Sequence, residues 1–386
     1  MNLSTIEIFL ELTGVAVCER KPTEALQQAC TAEALEAAYV LAAHHDLAHL
    51  VGQGAAKLQL ADSPSLQKCK KVAMRALVRQ TRQEIAFQSI CRVLEQGQIP
   101  FIPLKGSVLR QWYPETWMRT SCDIDILIRE EDLPRAQTGL EGANWSFQSQ
   151  TSHDWCFVSA EQVHLELHYS TIEDYVSDKG KKIMDGIWQD ARPVAGKQYH
   201  MEISDGLFYY YHMAHMAKHF VHGGCGVRSF LYVWVLNHRV DFSTGQREQF
   251  LEMGGLTAFA RAAEKLSEIW FSGEPMDEMS QRLQAFVLSG GTYGTVENRV
   301  SLQQGKEGGK LRFALKRIFL PYEILKYDFP VLQKHKWLTP VFHVVRWLRL
   351  LFCGGVKRSV SELQTVAEVS EEKRKEIGML LRYLEL

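Results

Sequence analysis

The chain lacks any paired-cysteine motif. Its eight cysteines, Cys18, Cys30, Cys69, Cys91, Cys122, Cys156, Cys225 and Cys353, are scattered, with no CxxC spacing and no dense cluster. That argues against a zinc knuckle or a disulfide framework and fits free thiols in a reducing compartment. Long apolar runs are also missing. The nearest approach, Trp337 to Phe352, is broken by Pro340, His343, Arg346 and Arg349, so no segment reads as a bilayer span. The N-terminal apolar stretch has no basic lead and carries Glu7 and Glu11, which makes it an amphipathic helix rather than a signal peptide. Net charge is nearly absent, at -1 over 386 residues. No global field recruits nucleic acid or acidic lipid, so any anion binding must be local. There is no internal repeat and no low-complexity tract. A cytoplasmic protein is the expectation.

What is present is ordinary globular composition, 46% hydrophobic and 23% charged, with length enough for two or three cooperating domains. Residues 1–95 read as helical, from the Ala-, Leu- and Glu-rich stretch Thr23 to Leu60 and the helical spacing of Leu66 to Glu95. Residues 96–200 change character. Short β-prone runs appear at 100–104, 123–128, 156–158 and 163–169, with a helical interval at Glu130 to Glu141, so a small α/β or α+β sheet is expected. Residues 201–386 turn helical again through Leu207 to His222, Ser229 to His238 and Leu256 to Trp270. The Gly-, Ser- and Gln-rich segment 289–309 reads as an exposed loop.

The run Ser121-Cys122-Asp123-Ile124-Asp125-Ile126-Leu127-Ile128 carries the sharpest chemical signal. On a strand, Ile124, Ile126 and Ile128 share one face, while Asp123 and Asp125 share the other with Cα atoms roughly 6.5–7 Å apart. Two like charges on one face repel unless a cation neutralises them. Mg²⁺ takes a few carboxylates and completes its octahedron with substrate phosphates. The bland alternative is an exposed strand with two solvated acids. Val163-His164-Leu165-Glu166-Leu167-His168 repeats the alternation. If this strand neighbours the first, Glu166 completes a three-carboxylate site able to support in-line nucleotidyl transfer. His164 fits an ordinary amphipathic strand, and His168 fits an outer partner or a general base.

Upstream, Pro103-Leu104-Lys105-Gly106-Ser107-Val108-Leu109 reads as strand end, tight turn and helix start. Gly106 permits close backbone approach, Ser107 is placed to cap the helix, and N–H groups at such a turn suit phosphate. Lys105 adds a point charge.

With these motifs together, the string PLKGSVLRQWYPETWMRTSCDIDILIREED resembles the uncharacterised nucleotidyltransferase family of the DNA-polymerase-β-like superfamily. Lys105, Gly106, Tyr113, Pro114, Arg119, Asp123 and Asp125 occupy its pattern positions, and VHLELHYS supplies Glu166 as the third acid, where Asp is the commoner choice. The helix HMAHMAKHFVHGGCGVRSFLYVWVL places His215, His219 and Arg228 on the family pattern, but Tyr232 stands where an acid is expected one turn after the Arg. The C-terminal FLPYEILKYDFPVLQKHKWLTPVFHVVRWLRLL resembles the family's closing segment.

The resemblance implies an α+β fold, with a small mixed-sheet nucleotidyltransferase core flanked by N-terminal and C-terminal helical regions. It implies transfer of a nucleoside monophosphate from an NTP co-substrate, with Mg²⁺ or Mn²⁺. Asp123, Asp125 and Glu166 would bind metal and carry catalysis, while Lys105, Gly106, Ser107, Arg119 and His219 would bind nucleotide. The neutral charge balance favours a small hydroxylated acceptor over nucleic acid. The alternative is a catalytically silent nucleotide-binding or scaffold protein that keeps the fold.

Two other features stay open. His212, His215, His219 and His222 fall at i, i+3, i+7 and i+10, one helical face. That face suits phosphate contact along with Lys218, simple packing, or a metal with a third ligand. The stretch Lys306 to Arg358 interleaves basic and aromatic residues, which fits a helical cap and leaves membrane-surface docking open.

Overall fold

Several helices begin where the sequence supplies caps. In the computed structural model of this chain, the described residues are 3–386 apart from 59, 61, 152, 172–177, 240–243, 293, 296–297, 299–301, 303–318, 323–324, 327–328, 330 and 353–370. Ser4 and Glu7 form a capping box on α1 (Thr5–Val17), each side chain satisfying the other residue's N–H. The amphipathic expectation for α1 needs correction, because from Ile8 to Val17 only Glu11 escapes burial. Helices α2 (Glu24–Ala29), α3 (Ala32–His44) and α4 (Ala48–Ala55) follow, then α5 (Pro64–Gln96), capped by Ser63 with Pro64 in its first turn. Proline is tolerated there because that N–H has no helical partner anyway.

The sheet contains β1 (Phe101–Pro103), β2 (Asp123–Ile128), β3 (Ser146–Gln150), β4 (Asp154–Val158) and β5 (His164–His168), in the order β1-β2-β5-β4-β3. Only β2 and β5 run parallel, so the sheet is mixed and the fold is α+β. Helix α6 (Gly106–Leu109) lies between β1 and β2, and α7 (Leu133–Gly142) between β2 and β3. A 3₁₀ turn at Glu130–Asp132 replaces the expected start of α7. Strand β3 is a finding beyond the sequence reading. All five of its side chains are exposed, so it shows no apolar alternation and forms by pairing with β4.

One sheet face packs Ile124, Ile126, Ile128 and Leu165 against Ile90 and Leu94 of α5 and Leu140 of α7. The other face looks into the helical body. There α8 (Asp178–Asp185), α9 (Ile187–Asp190), the pair β6 (Arg192–Pro193) and β7 (Met201–Glu202), α10 (Asp205–Val221), α11 (Val227–Arg239), α12 (Thr244–Gly254), α13 (Thr257–Phe271) and α14 (Glu278–Gly290) follow in order. Phe9, Leu12 and Leu50 from the N-terminal helices share one apolar core with Tyr209, Phe220 and Phe230 from the C-terminal ones. Ile102, Leu104 and Leu127 of the sheet side join that same core. Leu127 shares its strand face with Asp123 and Asp125, so the acids are directed toward the helices.

The loop expected at 289–309 begins inside α14, whose last residues are Ser289 and Gly290; residues 303–309 lie outside the described residues. Of the basic-aromatic stretch, 306–318 and 353–358 also lie outside them. The helix Thr339–Phe352 exposes Val341, Val344 and Leu348. Among the described residues, no helix is long and apolar enough to cross a membrane.

Candidate active site

Parallel pairing of β2 with β5 sets Asp125 opposite Glu166 and Asp123 opposite His164. Side chains of paired residues project to the same side, so the two acidic motifs converge although 41 residues separate Asp125 from Glu166. Ligand atoms of Asp125, Glu166 and His168 lie within 4.8 Å of one another, a cation-sized grouping. It contains His168 rather than Asp123, which stands at the next same-face position of β2 and lines the adjoining cavity.

Charge in this cluster is unevenly balanced. Asp125 is buried, and its Oδ1 accepts from Lys105 Nζ at 2.9 Å and lies 3.0 Å from His168 Nε2. His168 Nε2 is also 3.4 Å from Glu166 Oε2. Burial alone would raise the Asp125 carboxyl, but Lys105 and His168 outweigh it and hold the group far below the usual carboxylate range. For His168, burial opposes the charge and the two carboxylates overcome it, so the imidazole is raised. Asp123 goes the other way. Burial, then repulsion from Asp125 and Glu166, raises it despite Lys105 and Arg119. An oxygen-rich donor set with an under-compensated carboxylate fits a hard divalent cation. The residues whose ligand atoms group closely enough to hold one are Asp125, Glu166 and His168, with Asp123 at the adjoining position on β2.

The turn before this strand works differently from the reading of its sequence. Lys105 has φ 43° and ψ -110°, a strained backbone for a side-chain-bearing residue of the kind that clusters at functional sites. Ser107 does not cap α6, which has no side-chain cap, and the Ser107 N–H donates to the Leu104 carbonyl at 3.2 Å. Glycine at 106 makes room for a neighbour. A Cβ there would meet Arg119 Nη1 at 2.1 Å and Cζ at 2.7 Å. The Arg119 guanidinium fills that space, donates from Nη1 to the Thr120 carbonyl at 3.2 Å, and lies 5.1 Å from the Tyr232 ring centre.

A buried arginine that no motif marks braces this turn. Arg110 donates from Nε to the Gly106 carbonyl at 2.9 Å, from Nη1 to Gln80 Oε1 at 2.7 Å and from Nη2 to Ser121 Oγ at 2.9 Å. It joins α5, α6 and the lead-in to β2, and burial pushes its guanidinium down to about 10. Its partners are dispersed in sequence, so no local pattern announces it.

Helix α10 covers the acidic face and closes a cavity of about 290 Å³ lined by Lys105, Asp123, Asp125, Arg119, Lys218 and Arg228, among others. The histidine face divides here. His212, His215 and His219 line the cavity, whereas His222 is exposed at the helix end with Nδ1 2.8 Å from the Lys218 carbonyl. His215 Nε2 and His219 Nε2 are 3.2 Å apart. Burial first, then nearby cations, pushes His212 and His219 down to about 4 and His215 well below its ordinary value. These rings therefore face the cavity neutral. Among the described residues, the histidines do not group with a further ligand into a metal site. Burial, then Lys105, pushes Lys218 down to about 8.

Arg228, at the start of α11, lines the same cavity. Its Nε donates to Tyr232 Oη, its Nη1 pairs with Asp46, and its Nη2 donates to the Thr120 carbonyl at 2.7 Å. Arg228 thus meets an acid that comes from the turn between α3 and α4. No signal around Asp46 reveals this, because the pair spans 182 positions.

Comparison with known proteins adds three findings. The family described as uncharacterised nucleotidyltransferase matches residues 31–272. A solution structure of the antibiotic-resistance factor ANT(2'')-Ia is similar at 11% identity, covering 50% of this chain and 91% of that chain with a TM-score of 0.27. No curated protein matches.

Proposed function

The chain belongs to the uncharacterised nucleotidyltransferase family, and from that premise we propose that it transfers a nucleoside monophosphate from an NTP to a small hydroxylated acceptor, using Mg²⁺ or Mn²⁺. The observation that carries this reading is the parallel β2–β5 register, which sets Asp125 beside Glu166 on the face where Asp123 also stands. Those three residues would hold the cation. Bound there, it would neutralise phosphate charge and acidify an attacking hydroxyl.

The chain's own groups account for the rest. Arg119, resting on Gly106, and Lys105 face the phosphates, and the Gly106–Ser107 turn sets their positions. Glu166, a third exposed in its side chain, accepts the proton of the acceptor hydroxyl. The acceptor oxygen then bonds to the α-phosphorus as its bond to the bridging oxygen breaks, and pyrophosphate leaves with that electron pair. His219 contacts nucleotide or acceptor as a neutral imidazole. A cavity of about 290 Å³ matches a small acceptor at the lower end of ordinary ligand pockets. Scattered free cysteines fit a cytoplasmic setting.

A second reading has its own support. Because Lys105 and His168 already compensate Asp125, the fold is able to bind nucleotide without transferring it. Screening four NTPs with Mg²⁺ or Mn²⁺ against a panel of small hydroxylated acceptors, by thermal shift and pyrophosphate release, separates the two. Shift with release supports transfer, and shift alone supports the silent protein. Neither signal with any NTP rejects both.

A further inference from the structure

We propose that Asp46, in the turn between α3 and α4, is a positioning residue that holds Arg228 against the cavity as a phosphate-binding group, so that the N-terminal helices complete the site. This rests on the nucleotidyl-transfer reading of the same cavity.

Asp46 meets two parts of the site at once. Its carboxylate pairs with Arg228 and, through Oδ2, accepts from Thr120 Oγ1 at 3.2 Å. The Thr120 carbonyl in turn accepts from Arg228 Nη2 at 2.7 Å and from Arg119 Nη1 at 3.2 Å. Thr120 lies three residues before Asp123 on the lead-in to β2. A second link, from the start of α4, reaches that lead-in, with His49 Nε2 2.8 Å from the Met118 carbonyl. Asp46 adopts φ 55° to make its contacts, a left-handed conformation that Asp tolerates better than most residues.

The arrangement costs more than a simple tether requires. Arg119 and Arg228 approach the Tyr232 ring from guanidinium carbons 5.1 and 5.4 Å from its centre. Two cations gathered at a mostly buried wall repel each other, and the three histidines there are neutral and give no relief. Asp46 is 46% exposed in its side chain while Arg228 is 15% exposed. The acid thus offsets the charge from the solvent side and leaves the cavity side positive. A wall of that sign, beyond the carboxylates, is where a triphosphate's negative charge is best received.

The experiment measures pyrophosphate release with a panel of small hydroxylated acceptors, calorimetric Mg²⁺–ATP binding and thermal melting in wild type, Asp46→Asn, Asp46→Ala and Asp46→Ala/Tyr232→Asp. An acid at 232 sits one helical turn from Arg228 and reaches it within α11. Expected is a roughly tenfold rise in KM and Kd for Asp46→Asn with kcat within about twofold, since lost uniform binding moves KM alone. The double variant should recover most of that affinity. A tether with no role in binding predicts lower melting temperature with unchanged KM and Kd, and no rescue; that result overturns the proposal while leaving the transfer reading intact. Wild type that binds Mg²⁺–ATP without releasing pyrophosphate, with binding weakened in Asp46→Asn and rescued in the double variant, sinks transfer and keeps the proposal. Absence of both binding and release sinks both.

Discussion

Lys105 Nζ lies 2.9 Å from Asp125 Oδ1, the same oxygen that His168 Nε2 approaches at 3.0 Å. One carboxylate oxygen therefore serves both an ammonium and an imidazole, while Asp123, on the same strand face, has no ion pair among the described residues and is raised by burial and by its acidic neighbours. The two aspartates of one motif are in opposite electrostatic states. Asp125 is integrated into the resting fold, and Asp123 is not.

Asp123→Asn tests that division most directly. Removing the under-compensated charge should leave the metal-free melting temperature unchanged or higher. It should abolish the extra stabilisation by Mg²⁺ with NTP, about 2.7 kcal/mol in wild type at 100 times Kd. A lower metal-free melting temperature with the full Mg²⁺–NTP shift retained would show that Asp123 is structural.

Glu166→Gln keeps the size of the side chain and removes its basicity. Turnover should fall by roughly 10²–10⁴-fold, the usual contribution of a positioned base, while calorimetric NTP affinity changes far less. Equal turnover in variant and wild type would reduce Glu166 to a bystander.

Gly106→Ala should cost about 1–3 kcal/mol, as overpacking does, because its Cβ falls on the Arg119 guanidinium. NTP affinity should drop with it. In an Arg119→Ala background the same change should cost clearly less, since neighbouring residues couple. Equal losses in both backgrounds, read from denaturant melts, would contradict this packing account.

The pH dependence has two opposite contributions. His212, His215 and His219 have folded pKa values below the ordinary 6.5, so the unfolded chain binds more protons between about 4 and 6.5, and stability falls as pH drops through that window. His168 is raised, so its contribution is complete below 6.5 and is lost as pH rises through its folded value. Asp125, held low, contributes above the ordinary aspartate range and loses that stability in stronger acid. Melting curves of His219→Asn should therefore show a shallower loss between pH 6.5 and 4, and those of His168→Gln a shallower loss above pH 6.5. Unaltered slopes would count against the assigned protonation states.

The sequence alone determined which side chains share a face. Alternation put Asp123 with Asp125 and Glu166 with His168, and helical spacing aligned the histidines of α10, because strand and helix periods are local properties of the backbone. The capped start of α10 at Ser204 is equally local. Tertiary structure decided what those faces meet. It made β2 and β5 parallel neighbours, turned His222 away from the cavity, and filled the Gly106 space with Arg119. It also drew Asp46 to Arg228 and paired the wholly exposed β3 with β4. None of these follows from a period. Each depends on burial and on closing long loops, where the gain comes from contacts between residues that the local sequence does not relate.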